Sequence, residues 1–501
     1  MNTNLAKVDV DFSFEIIESK ISELKSYIKG SIKQEEQAHK VEENILRIIM
    51  EIGYKSLGIF LKTQCSLDNG REIILEDRNQ VKLIERCKRK YRSVFGNYEI
   101  ARNVYGSRKK QKYECIPADG RMNLPENDYS YLLQDWIQSM VVEMPFRGVQ
   151  NILKKMLGIS VPVESMQTMN KNMAKTVESF TQAKSIPEKN EEGELLIASA
   201  DCKGVPICHK RDEQKICEHK KKRGPKKDRK RMATVGAVYT INRNLRTAEE
   251  IVESLFREPT QVELTKIEKP KPQGKHVRAA LSVKDENATD SIFHWMAEHV
   301  SRRQINQCDI VLMMDGQQSL WKAGEHHFHE IKRIEILDLL HVTPRIWDIS
   351  QLLYNDEDKR IQFVKNRVLK ILKGQVTRVV RGIRQIATKQ KLSKSKRKKL
   401  ETACKFLLKN RFRMQYHQYL EKGLPIATGV IEGACRHFVK DRMERAGMKW
   451  TMLGAQAMLD LRSTFLNRDW DTFCQFRIRQ EQNRLYPYRN IFVNTLKSGV
   501  V

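Results

Sequence analysis

Leu195-Leu196-Ile197-Ala198-Ser199-Ala200-Asp201 and Ile310-Val311-Leu312-Met313-Met314-Asp315 are two apolar runs that each end on an aspartate. Short uninterrupted apolar runs of this kind are the pattern of buried strands. The sequence therefore predicts two buried strands, each delivering a carboxylate at its C-terminal end. A third acid, Glu432, lies in Gly429-Val430-Ile431-Glu432-Gly433-Ala434-Cys435-Arg436, which reads as the start of a helix. Three carboxylates brought together offer the hard oxygen ligands that Mg²⁺ prefers, and two such ions side by side favour in-line attack on a phosphodiester. Each acid also has a plain structural reading: Asp201 as a strand-end cap, Asp315-Gly316 as a turn, Glu432 as an offset to the positive end of its helix.

Outward from these runs, strands are expected at 194–201, 232–241, 276–283, 309–315 and 333–340, with helices at 288–302 and 317–329. Three strands, then helix, strand, helix, strand is similar to the order of a ribonuclease-H-like core, in which the first and fourth strands deliver the metal-binding aspartates. Residues 343–422 read as helical and very basic, an all-helical insertion ahead of the segment with Glu432. The expected fold class is α+β, mostly helical overall. A ribonuclease-H-like core with a helical insertion is preceded by helical and helix-turn-helix-like regions.

The 501 residues exceed one ordinary core, so several domains are expected. We place a helical N-terminal region at 1–88, a β-hairpin segment at 89–126 and a helix-turn-helix-like region at 127–185. The core follows at 194–342, the insertion at 343–422, the final core helices at 423–480 and a tail at 481–501. The polar stretch 186–193, with Pro187 and Gly193, marks the main boundary. In the N-terminal region Phe12, Ile16, Ile17, Ile21, Leu24 and Ile28 recur mostly at steps of three or four, which predicts an amphipathic helix and fits a bundle or a dimerising helix pair. Tyr91–Ile100 and Ala101–Tyr105 read as short strands around Gly96-Asn97. Between 127 and 185, Pro145 opens one helix and Gly158 breaks it. The outline suits a DNA-reading helix-turn-helix or an ordinary helical hairpin equally.

A formal net charge of +29 favours a polyanionic partner. No stretch reaches the roughly 18–20 apolar residues of a spanning helix, so no membrane partner is expected. The N-terminus has no basic-then-apolar signal pattern, and ten cysteines without a repeating spacing read as reduced thiols. A cytoplasmic, nucleoid-associated location is the consistent expectation. Cys202, Cys208, His209, Cys217 and His219 fit no common zinc spacing, so zinc is not expected there.

Three segments carry a family likeness. Ala200-Asp201-Cys202-Lys203-Gly204-Val205-Pro206-Ile207, Lys230-Arg231-Met232-Ala233-Thr234-Val235-Gly236 and Gly423-Leu424-Pro425-Ile426-Ala427-Thr428-Gly429-Val430-Ile431-Glu432-Gly433-Ala434-Cys435-Arg436-His437 resemble the ISKra-type bacterial insertion-sequence transposases, a group similar to the Mutator-like DDE transposases. The likeness covers roughly residues 90–480. It implies a transposase that binds terminal inverted repeats and cleaves and joins DNA strands. Its catalytic and metal-binding acids would be Asp201, Asp315 and Glu432, and its cofactor two Mg²⁺ ions, with Mn²⁺ as a substitute. Leu337-Asp338-Leu339-Leu340-His341 resembles the Cys/Asp-x-x-His element of Mutator-like enzymes, which makes Asp338 and His341 accessory candidates.

Double-stranded DNA, as element ends and as target, is the expected partner, and synapsis of two ends implies a homodimer or higher homo-oligomer. The basic run with Lys221, Lys222, Arg223, Lys226, Lys227 and Arg229, continuing into Lys230 and Arg231, would grip phosphates without reading sequence. Arg436 and His437 join this set. Trp450 suits core packing, or stacking on an exposed base. The alternatives are a nuclease or resolvase that cuts without joining, and a non-catalytic DNA-binding derivative.

Overall fold

The computed structural model describes residues 13–75, 80–106, 114–208, 230–256, 270–282, 287–303 and 309–494. It contains two compact units, Met1–Met169 with Trp470–Val501, and Asn170–Asp469. The division falls at 169/170, and the chain from Trp470 onward belongs with the first unit.

The first unit opens with two long helices, α1 (Phe14–Lys33) and α2 (Ala38–Ser66). Glu36 holds the turn between them by accepting from Ser31 Oγ at 2.7 Å and Tyr27 OH at 3.0 Å. An antiparallel sheet follows, β1 (Glu72–Ile74), β2 (Gln80–Ser93) and β3 (Gly96–Gly106). Two expectations are corrected here. Strand begins at Glu72, inside the region expected to be helical to residue 88, because one face of β2 is solvated and its charges disguise the alternation. The turn lies at Val94-Phe95, since Ser93 pairs with Gly96, which adopts φ +142°. Helix α3 (Pro117–Met122) buries Asp119 between Arg89 and Arg102, each at 2.8 Å. Helices α4 (Tyr131–Val141) and α5 (Phe146–Leu157) come next, α5 starting after Pro145 and ending at the left-handed Gly158. Trp470 Nε1 donates to Asp135 at 2.7 Å, seating the C-terminal helices α18 and α19 defined below.

In the second unit, α6 (Val163–Ala174, straddling the division) and α7 (Val177–Ala183) lead to a five-stranded sheet. Its strands are β4 (Leu195–Pro206), β5 (Lys230–Ile241), β6 (Gln273–Leu281), β7 (Asp309–Met314) and β8 (Ile334–Leu337), in the order β6-β5-β4-β7-β8. The three central and edge strands β4, β7 and β8 run parallel, and β5 is antiparallel to both its neighbours. All five expected strands are present. β4 is longer than expected because the β4–β5 ladder continues to Pro206 and Lys230. β8 is shorter because Asp338 leaves it to cap a helix.

Helices α8 (Ala248–Phe256), α9 (Ala288–Arg303) and α10 (Gln318–His327) connect the strands. Gly236 lets α9 approach β5, since a Cβ there would lie 2.6 Å from Ile292 Cγ2. A helical stretch follows: α11 (Leu339–Leu353), α12 (Glu357–Leu372), α13 (Val376–Lys389), α14 (Lys394–Lys409) and α15 (Tyr416–Glu421). The chain then returns through α16 (Gly429–Cys435) and α17 (Met452–Leu466). Helices α18 (Trp470–Leu485) and α19 (Arg489–Asn494) complete the chain in the first unit. No helix among the described residues is long and apolar enough to cross a membrane.

Candidate metal centre

The parallel ladder places three carboxylates in a row. Ala200 pairs with Met314, and Met314 pairs with Leu337, at the C-terminal ends of β7 and β8 and midway along β4. The next residue on each strand is an aspartate: Asp201, Asp315 and Asp338. Neighbouring strands lie about 4.8 Å apart, so three anions are held in adjacent positions by main-chain hydrogen bonding alone. Asp338 N–H fixes the register by donating to the Met314 carbonyl at 3.0 Å.

Each aspartate is tied down differently. Asp201 lies within β4 rather than at its end, although β7 stops beside it. Its Oδ1 accepts the N–H of Cys202 at 2.7 Å, and its Oδ2 accepts Cys435 Sγ at 3.4 Å from the end of α16. Asp315 forms the expected turn, accepting Gln317 N–H at 2.8 Å, while its main-chain carbonyl takes Trp321 Nε1 at 2.7 Å. Gly316 is required by the helical layer: a Cβ there would sit 2.0 Å from Phe406 Cε2. Asp338 is 1 % exposed and uses both oxygens, Oδ1 accepting Leu340 N–H at 2.8 Å and Oδ2 accepting Thr428 N–H at 3.1 Å.

Glu432 arrives on the first turn of α16, whose N-cap Thr428 accepts Val430 N–H at 3.2 Å. Thr428 Oγ1 also pairs with the buried Tyr239 hydroxyl of β5 at 3.0 Å. Ligand atoms of Asp338, His341 and Glu432 all lie within 4.8 Å of one another. Among the described residues the group that meets is thus Glu432 with the two accessory candidates, and the expected set Asp201, Asp315 and Glu432 is not brought together in this way. Asp315 and Asp201 follow Asp338 one and two strands along in register. A π-helical turn, Arg436–Lys440, follows α16.

The electrostatics agree with the geometry. Burial raises the Asp315 carboxyl above the ordinary carboxylate range, and Asp201 adds to the rise, against Gln317 N–H and His341. Burial likewise raises Asp338, with Asp201 adding and the Leu340 and Thr428 N–H groups opposing. Burial raises Glu432, with Asp338 and Asp201 adding and His341 opposing. Asp338, His341 and Glu432 offer two carboxylates and one imidazole close enough to hold a cation.

Of the DNA-contact candidates, Lys221, Lys222, Arg223, Lys226, Lys227 and Arg229 lie outside the described residues, as do His209, Cys217 and His219. Lys230 and Arg231 form the exposed start of β5, and Lys230 Nζ pairs with Glu444 at 2.5 Å. Arg436 and His437 are exposed and both face Asp441, at 3.6 and 3.0 Å. Trp450 is a packing residue: 8 % exposed, it donates Nε1 to the Met443 carbonyl and lies beneath the Arg442 guanidinium.

Thr428 and Cys435 were not singled out from sequence. A threonine directly before Gly429 is a helix N-cap signal that locates Thr428. Nothing in the sequence points Cys435 at Asp201. No protein-family model and no curated protein matches the chain.

Proposed function

We propose that this protein is a divalent-metal-dependent DNA transposase of an insertion sequence, which binds terminal inverted repeats and carries out strand cleavage and strand transfer. The observation that carries the reading is the row Asp201, Asp315, Asp338 across three adjacent parallel strands, with Glu432 and His341 joined to it. The sheet order, with β5 antiparallel, supports a ribonuclease-H-like core, and α11–α15 supply the helical insertion between β8 and α16.

Asp201, Asp315, Asp338 and Glu432 would hold Mg²⁺, or Mn²⁺ in its place. When bound, such ions stabilise the attacking and leaving oxygens of an in-line displacement. The chain's own groups orient this set. Leu340 and Thr428 N–H fix the Asp338 oxygens, and Cys435 fixes one oxygen of Asp201. His341, between acids, offers a hydrogen bond to a phosphate oxygen. Exposed Lys394, Lys396, Arg397, Lys398 and Lys399 of α14 provide phosphate contacts that do not read sequence. Synapsis of two DNA ends calls for a homodimer or larger assembly, and such work belongs in the cytoplasm at the nucleoid.

The test is incubation with Mg²⁺, DNA carrying the repeats that flank the gene, and a supercoiled target plasmid. Joined products are expected. Linear cuts without joining would reassign the chain as a nuclease or resolvase, and binding without cleavage as a non-catalytic derivative.

A further inference from the structure

Helix α1 carries an apolar seam that its own unit leaves open. Phe14, Ile21, Ile28 and Ile32 are 71 %, 39 %, 37 % and 73 % exposed. Scattered exposed apolar residues are ordinary, but Phe14, Ile21 and Ile28 recur at intervals of seven, and Ile32 follows one turn later. A seven-residue interval returns to nearly the same side of a helix, which is the spacing of a helix–helix contact. Leu46 and Ile49 of α2 are exposed as well.

The polar contacts fix how the two helices lie. Lys20 Nζ meets Glu51 at 2.7 Å, and Asn44 Nδ2 donates to Tyr27 OH at 2.9 Å. The helices therefore run antiparallel, with Ile21 and Ile49 at about one level. At about 3.6 residues per turn, the α1 seam and the α2 pair Leu46 and Ile49 fall on the same side of the two helices. The other side of α2 is taken, since Leu61 and Cys65 pack with Tyr98 and Ile100 of β3. The open face is about 30 Å long and two helices, about 20 Å, wide, on the order of 600 Å². Two such faces together reach about 1,200 Å², the lower end of specific protein interfaces.

The charges beside the seam select the occupant. Glu18 and Lys25 are exposed, flank Ile21 on the edge away from α2, and enter no ion pair among the described residues. They stand three residues before Ile21 and four after it. A two-fold axis crossing the face at Ile21 and Ile49 lays α1 antiparallel on the α1 of a second copy. Ile21 then meets its own equivalent, Phe14 meets Ile28, and Glu18 meets Lys25 twice over. Such self-complementarity is what a two-fold interface requires. We propose that this face binds a second copy of the chain, α1 against α1, in that antiparallel register. The proposal rests on the strand-transfer reading only for its expectation of paired copies.

The test is sedimentation equilibrium of the full chain over a concentration series, without DNA and in EDTA. A dimer is expected. Ile21→Asp, which opposes two carboxylates at the axis, should leave a monomer. Lys25→Glu, which turns both ion pairs into repulsions, should weaken the dimer about tenfold. Glu18→Lys with Lys25→Glu should restore it, because only an antiparallel register pairs these two positions. A monomeric unaltered chain, or a dimer that survives Ile21→Asp, would overturn the proposed face. A double exchange that stays as weak as Lys25→Glu would overturn the register. Since neither DNA nor metal is present, a failed strand-transfer assay leaves this result standing, and a monomer leaves the strand-transfer reading to its own assay.

Discussion

Asp338 Oδ2 accepts the main-chain N–H of Thr428 at 3.1 Å, joining the end of β8 to the N-cap of the helix that carries Glu432. Ninety positions of sequence separate the two residues. The bond makes the position of Glu432 depend on the sheet. Thr428→Val keeps the shape and the N–H but removes the cap on Val430 and leaves the buried Tyr239 hydroxyl without its partner. The helix loses about 1 kcal/mol of capping. Loosened orientation of a ligand typically costs about tenfold or more in metal affinity. Calorimetric Mn²⁺ titration should show that loss, with DNA binding unaltered. Unchanged Mn²⁺ affinity would count against the cap as the element that positions Glu432.

The carboxylate row predicts opposite effects on activity and stability. On the proposed reading, Asp315→Asn and Glu432→Gln should each lower Mg²⁺-dependent strand cleavage by about a hundredfold or more, since each would remove a charge from the set proposed to hold the ions. In EDTA the same variants should melt at or above the unaltered chain, because burial and neighbouring acids raise both carboxyls and the neutral side chain relieves that penalty. Melting curves in EDTA and with Mg²⁺ test both halves. A fall in melting temperature under EDTA would assign these acids a structural role.

Asp119 should be the most costly single acid in the first unit. It is 2 % exposed and holds Arg89 and Arg102, both largely buried. Asp119→Ala leaves two guanidinium groups without their carboxylate, at a cost of about 3–5 kcal/mol. Urea unfolding followed by circular dichroism should show that loss, and a cost below about 1 kcal/mol would contradict the buried pairing.

The buried His276 and His299 make acid stability predictable. Burial first, then cationic neighbours, lower His276 to about 2 and His299 to about 3. Both fall below the unfolded value of about 6.5, so between that pH and about 3 the unfolded chain binds two protons that the folded chain refuses. Stability is then fully present above about pH 6.5 and falls on acidification. Two such groups give a drop of about 2 kcal/mol between pH 7 and 5.5. Urea titrations at both pH values should show it, and His299→Gln should remove about half. An equal slope in the variant would mean that His299 is charged in the folded chain.

What the sequence determined by itself was local. Unbroken apolar runs located β4 and β7 because burial on both faces demands apolar residues at successive positions, and shorter apolar segments interrupted by Thr234, Arg278 and Glu335 marked β5, β6 and β8. Pro145 and Gly158 bounded α5 because their backbone preferences act within one or two residues. Asp315 and Glu432 were legible as acids at the edges of such elements, whereas β4 runs on past Asp201 to Pro206. Where solvated charges covered one face, as along β2, the same reading mistook strand for helix.

Only the tertiary structure decided which acids meet. Asp338 reads as the tail of a strand, yet the β7–β8 register sets it beside Asp315, and the Thr428 N–H holds it there. Parallel pairing depends on main-chain hydrogen bonds between segments far apart in sequence, and no residue type announces its register. The same holds for the Lys184–His276 contact, which fixes a tautomer across ninety-two residues. Side-chain identity supplies the chemistry, but juxtaposition, and with it charge state and ligand choice, arises from packing between distant elements.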